Sequence, residues 1–130
     1  MISSAWDTLR EKFNMEERCD KPSCVDGVSG GSNMLVYPPD RSQIGRANWK
    51  YAHLRSESFP ENPSDDIKRK ELQWIQSFVY TYPCSVCAKD FLDICGRLPP
   101  QVDSRSEYRH WWIRAHNEVN RDLSKPQYRP

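Results

Sequence analysis

The chain's five cysteines stand at Cys19, Cys24, Cys84, Cys87 and Cys95, so four of them fall into a Cys-x4-Cys and a Cys-x2-Cys pair. In Tyr82-Pro83-Cys84-Ser85-Val86-Cys87 the second pair sits at the expected start of a helix, with its thiols one turn apart. Unpaired amides and the helix dipole favour thiolate there, and thiolate is both the attacking and the leaving species in disulfide exchange. The same four thiols could instead ligate zinc as a tetrahedral site, and cysteine is also a frequent core residue. Spacing alone leaves thiol redox, metal binding and core packing open. Cys95 lies eight residues beyond Cys87, about 12 Å of helix rise, too far for a bridge between them.

A second set of residues could hold a ligand. Trp49 and His53 are i, i+4, and Trp112, His116 and Asn120 form an i, i+4, i+8 row with Asn117 beside it. Any one Trp or His of this kind is usually a core group. Two rows of large aromatics next to imidazole and amide groups could, however, sandwich a planar heteroaromatic ligand between two helices and fix its polar edge.

The elements that must position these residues are helical. Beyond position 44 only Gly45 and Gly96 remain of the five glycines, and four apolar-periodic segments are separated by Pro-containing breaks. The first is expected from about Gly45 to Phe59. The second starts at Ser64 or Asp65, carries Ile67, Leu72, Ile75, Val79 and Tyr82 inward, and stops at Pro83. A third is expected from Pro83, a residue suited to a first helical position, with Cys84, Cys87, Phe91 and Ile94 or Cys95 on one stripe up to Gly96. The fourth opens with Ser104 and Glu107 as a capping box and buries Tyr108, Trp111, Trp112, Ala115, Val119 and Leu123. No period-two alternation is visible, so the Cys-x2-Cys does not sit in a βαβ unit. The fold class expected is all-α, an antiparallel four-helix bundle over 44–130 with room for a short fifth helix. Residues 1–43 read as a flexible N-terminal arm: Trp6, Leu9 and Phe13 fall on one face of a short helical stretch, and a Gly/Ser/Pro-rich connector follows.

Composition narrows the function classes. Nineteen basic and eighteen acidic residues give a net charge of +1, and the mean hydropathy is −0.88. Five basic and seven acidic residues precede Gln43, with fourteen and eleven after it, so no basic tail is concealed and nucleic-acid binding by phosphate neutralisation is not expected. No window of eighteen apolar residues offers a membrane-spanning helix. Asp7, Glu11, Glu16 and Glu17 argue against an acid-poor mitochondrial presequence, and no apolar run marks a secretory signal.

Several motifs, in order and at compatible spacing from about 44 to 128, carry a resemblance. They are Gly45-Arg46-Ala47-Asn48-Trp49 with His53-Leu54, Phe59-Pro60-Glu61-Asn62-Pro63, Tyr82-Pro83-Cys84-Ser85-Val86-Cys87-Ala88-Lys89-Asp90-Phe91, Ser104-Arg105, and Trp112 leading to His116-Asn117-Glu118-Val119-Asn120 and Lys125-Pro126. Together they resemble the Erv/ALR family of FAD-linked sulfhydryl oxidases. The resemblance implies a helical bundle with FAD at its mouth, usually a homodimer, and a cysteine pair against the isoalloxazine ring. It assigns Cys84 as the exchanging thiol and Cys87 as the flavin-contacting one. Gly45, Arg46, Trp49, His53, Tyr82, Trp112, His116, Asn117, Asn120, Lys125 and Tyr128 match positions around FAD. It further implies that Cys19 and Cys24 form a shuttle disulfide that takes electrons from thiol-containing protein substrates or an oxidoreductase partner, with oxygen or cytochrome c as the acceptor. No metal, nucleic acid or membrane enters that scheme. The location implied is the mitochondrial intermembrane space, with a cytoplasmic or viral setting as the alternative. One departure stands out: Ile113 occupies a position where mitochondrial-type members commonly carry a bridging cysteine, so no bridge from there to Cys95 is expected. The competing reading is a zinc-binding helical interaction module built on the two Cys pairs.

Overall fold

Asp40 opens the first helix of the computed structural model, which describes residues 40–130. The shuttle pair Cys19 and Cys24, the Trp6, Leu9 and Phe13 face and most of the connector lie outside the described residues. Four helices make up what is described: α1 (Arg41–Glu57), α2 (Asp65–Thr81), α3 (Ser85–Arg97) and α4 (Arg105–Asp122). Among the described residues there is no strand. α1 packs on α4, and α3 packs on both α2 and α4.

Local chemistry sets each start. At α1 the Asp40 carboxylate accepts from the Gln43 amide at 2.8 Å while the Gln43 side chain accepts from the Asp40 amide at 3.1 Å. This reciprocal capping box starts the helix at Arg41, ahead of the Gly45 start that apolar periodicity suggests. Ser64 caps α2 by accepting from the Ile67 amide, and Asp65 and Asp66 place negative charge at its positive end. Ser104 caps α4 by accepting from the Glu107 amide at 3.1 Å, but the expected return bond of the capping box, from the Ser104 amide to the Glu107 side chain, is not formed. The start of α3 differs from the expectation. Pro83 is outside the helix, and Cys84, extended at φ −149°, is the N-cap, its Sγ accepting from the Cys87 amide at 3.3 Å.

The core is aromatic and centred on α4. Trp111, Trp112 and Tyr108 are fully buried together with Ile75, Val79, Leu92 and Ile94, and Cys95 is a buried thiol among them. Two residues read as inward-facing are not: Leu123 is 58% exposed and Ile67 lies at the surface. Leu123 follows the last helical residue, where the chain has already turned away from the stripe that buries Ala115. The core also holds a charge that patterning treats as solvated. Glu71 is only 7% exposed, accepting from Arg55 Nε and Nη2 at 2.6 and 3.0 Å and from the Tyr108 hydroxyl at 2.6 Å. Burial and the Glu71 bond push the Tyr108 phenol upward, so it stays protonated and donates to Glu71.

The end of α4 aims the chain at the site. Lys125 N–H donates to Asn120 O at 2.7 Å and Ser124 N–H to Arg121 O at 3.1 Å, the paired bonds of a Schellman turn. The turn requires Ser124 at φ 55°, in the left-handed region that favours glycine. Ser124→Gly is therefore expected to raise stability by about 0.5–1 kcal/mol, partly offset by greater freedom of the unfolded chain. A melting temperature at or below wild type would show that the serine side chain contributes more than the turn costs.

Candidate active site

A cleft of about 650 Å³ opens between the helices, within the size range of small-molecule and cofactor sites. Its α1 wall is Arg41, Gly45, Asn48, Trp49 and Ala52, at helical steps that put them on one face. α2 supplies Phe78 and Val79, and Tyr82 follows. α3 supplies Cys87, Ala88 and Phe91. Trp112, His116, Val119 and Asn120 of α4 form the opposite wall, and Lys125 stands at the mouth with Leu123.

Of the residues expected at the site, Gly45, Arg46, Trp49, Tyr82, Cys87, Trp112, His116, Asn120 and Lys125 all line this one cleft. Cys84 and Cys87 are joined as a disulfide, and of the two only Cys87 is part of the cleft wall. His53, Asn117 and Tyr128 are not in the lining. They form a layer against it, in which Trp49 stacks on His116 with centroids 3.9 Å apart and planes 6° apart. His53 Nε2 and His116 Nδ1 meet at 2.9 Å, and Tyr128 lies on His53 at 4.3 Å. Asn48 and Phe91 were not anticipated as wall residues. The signal for Asn48 was its place on the Gly45, Asn48, Ala52 stripe.

Electrostatics divide the cleft into two ends. Near the disulfide, burial pushes the Tyr82 phenol up, opposed by a hydrogen bond with Asn48, whose amide also donates to Ile44 O at 2.8 Å. At the imidazole end, burial lowers both histidines, and with the help of His53 and Lys125 it takes His116 down to about 4. Both are therefore neutral at pH 7. Trp112 is 1% exposed, and its indole Nε1 is buried without a hydrogen bond of regular geometry, although it bears on the Tyr108 hydroxyl next to it. Among the described residues no group of three or more His, Cys, Asp or Glu side chains could hold a metal ion.

The donor set fits a flavin dinucleotide. Trp49, Trp112, Phe91 and Tyr82 offer aromatic surface, Arg46 and Lys125 offer cations, and Asn120 is a buried amide. Gly45 is the most specific sign. It is an interior helical glycine, a residue that costs about 1 kcal/mol against alanine, yet an added Cβ would meet no protein atom within 4 Å. Protein packing does not require a glycine there, and the open space beside it is part of the cleft.

A helical bundle that presents one sulfur of a Cys-x2-Cys disulfide to an aromatic, cation-edged cleft defines a thiol–disulfide redox site. Residues 46–130 match the Erv1/Alr family, and the chain belongs to that family. It is 42% identical over 93 residues to the mitochondrial FAD-linked sulfhydryl oxidase ERV1 of Saccharomyces cerevisiae, covering 72% of this chain and 49% of the relative. It is 34% identical over 128 residues to the mitochondrial FAD-linked sulfhydryl oxidase erv1 of Schizosaccharomyces pombe, covering 97% and 70%. The crystal structure of the yeast Erv1 core superposes with a TM-score of 0.69 at 40% identity, over 78% of this chain and 87% of that one. The chain thus spans about half the length of the first of these relatives.

Proposed function

We propose that the chain is a FAD-dependent sulfhydryl oxidase that forms disulfides in thiol-containing protein substrates. The observation that carries this reading is that Cys87, and not Cys84, faces a cleft whose shape and donors fit the flavin. A substrate thiolate attacks Cys84 Sγ, a sulfur–sulfur bond forms to Cys84, and the Cys84–Cys87 bond breaks with Cys87 leaving as thiolate. A second substrate thiolate then attacks the substrate sulfur of the mixed disulfide, and Cys84 leaves as thiolate. Cys84 is a good leaving group because it caps α3, where the Cys87 amide and the helix dipole face its sulfur. The net change is a substrate dithiol oxidised and the Cys84–Cys87 pair reduced. Bound FAD would accept the pair's two electrons and pass them to oxygen or cytochrome c. Trp49, Trp112 and Phe91 would shape and dry the cleft, and Arg46 and Lys125 would meet the pyrophosphate, the only strongly anionic part of the ligand.

The same reading assigns Cys19 and Cys24 as the shuttle disulfide of the arm and 44–130 as the cofactor domain. A second copy of the chain is the proposed partner at the α1 surface, where Leu54 is 69% exposed near Tyr51 and Arg55 lies 4.1 Å over the Trp74 ring. Aromatic, Arg and aliphatic groups of this kind are typical of protein interfaces. The proposed location is the mitochondrion, specifically the intermembrane space, in keeping with the names of the two yeast relatives.

Flavin absorbance of the purified protein, with oxygen uptake on addition of a small dithiol, tests the reading. Gly45→Ala sharpens it. The variant is expected to melt higher without flavin, by about 1 kcal/mol, and to bind FAD at least about tenfold more weakly, because the new methyl stands in the cleft. Equal FAD affinity in the variant would remove Gly45 from the site.

A further inference from the structure

The family resemblance puts Asn117 and Tyr128 around the cofactor, yet the Asn117 side chain is committed elsewhere. Its Oδ1 accepts the Tyr128 amide at 2.6 Å and its Nδ2 donates to the Tyr128 carbonyl at 3.4 Å. The phenol ring so fixed lies on both imidazoles, 4.3 Å and 15° from His53 and 4.7 Å and 22° from His116. Between those rings the nitrogens at 2.9 Å share a single proton, since two facing N–H groups cannot sit at that distance. The other face of His116 rests on Trp49, and both of these line the cleft.

We infer that Asn117 is a positioning residue: by buckling Tyr128 over the half-buried His53–His116 pair it shields one side of the pair from water and keeps the two rings sharing one proton, and thereby holds His116 and Trp49 in place as the cleft wall. The inference rests on the flavin reading for its effect on cofactor, but the state of the imidazole pair does not depend on any ligand. The charged groups around the pair are Glu57 on α1, which favours protonation of His53, and Lys125 beyond α4, which opposes protonation of His116. Burial is the largest influence on both rings and holds His116 down at about 4. With the phenol displaced, the pair becomes more exposed to water and His116 moves toward its ordinary value. One added proton leaves a singly charged pair that still shares a proton between the facing nitrogens; when both rings are protonated, two donors and two positive charges stand face to face and the rings must part.

The test uses the full chain. Imidazole NMR titration of the flavin-free protein reads the His116 midpoint directly, and filtration after pH steps reads retained FAD. In the wild type His116 is expected to titrate near 4, with FAD held down to that range. Asn117→Ala should raise the midpoint by about one to two pH units and shed FAD at a correspondingly higher pH. Tyr128→Ala should do the same, and the double variant should be no worse than either single, since both remove one device. If Asn117→Ala does not fold, Tyr128→Ala carries the test, because Tyr128 lies beyond α4 and outside the buried core. A variant that melts lower at every pH while its His116 midpoint stays at the wild-type value overturns the inference and leaves Asn117 a purely structural clip. If the wild type binds no FAD, the flavin reading fails, and the NMR midpoints still decide the role of Asn117.

Discussion

Cys84→Ser and Cys87→Ser should each lose thiol oxidation by at least about a thousandfold in turnover, the scale on which removal of a covalent nucleophile acts. The two losses differ in kind. Cys84→Ser leaves the Cys87 thiol at the cleft wall but removes the sulfur that substrates attack, so neither a small dithiol nor a protein reacts. In Cys87→Ser the Cys84 thiol remains and can form a mixed disulfide with an oxidised small molecule, but no bridge to the cleft exists. Oxygen uptake with a small dithiol measures both, and near-normal rates in either variant sink the assignment. The arm gives a contrasting outcome: if Cys19 and Cys24 are the shuttle, replacing both with Ser spares the small dithiol, which reaches Cys84 unaided, and slows a folded protein substrate.

Glu71→Ala should be the most damaging single change to stability, at about 3 kcal/mol, the lower end for breaking a buried charge pair because Arg55 keeps 30% exposure. It strands the Arg55 guanidinium over Trp74 and leaves the fully buried Tyr108 hydroxyl without its acceptor. For a domain of this size the melting temperature falls by roughly 10–20 °C. Glu71→Gln keeps an acceptor and loses the charge, so it should fall between. Thermal melts of the three proteins check this, and a Glu71→Ala loss under about 1 kcal/mol would mean that water or another acceptor takes over.

The cleft and the buried carboxylate share a neighbour. Tyr108, one turn before Trp112, meets Glu71 with its hydroxyl and the Trp112 ring with its edge at a centroid distance of 6.2 Å. Trp112 in turn stands edge-on to Trp49 at 6.1 Å and parallel to Phe91 at 6.0 Å, so it connects the interior of the bundle with both aromatic walls of the site.

Sequence by itself determined whatever depends on neighbours within one or two helical turns. Ser64 and Ser104 cap where their pattern places them, the Cys-x2-Cys stands at a helix start, and the rows Trp49–His53 and Trp112–His116–Asn120 share faces because the 3.6-residue period leaves no choice. Tertiary structure alone decided which faces meet. Glu71 finds Arg55 sixteen residues away and Tyr108 thirty-seven away, so a charge that local pattern assigns to solvent is buried and paired. Asn117 stands next to His116 in sequence, yet its amide is taken by Tyr128 eleven residues on, because a left-handed turn at Ser124 brings the chain back. Helical periodicity fixes the angle between side chains on one element; the partner across the gap depends on how the elements cross, and no local rule contains that.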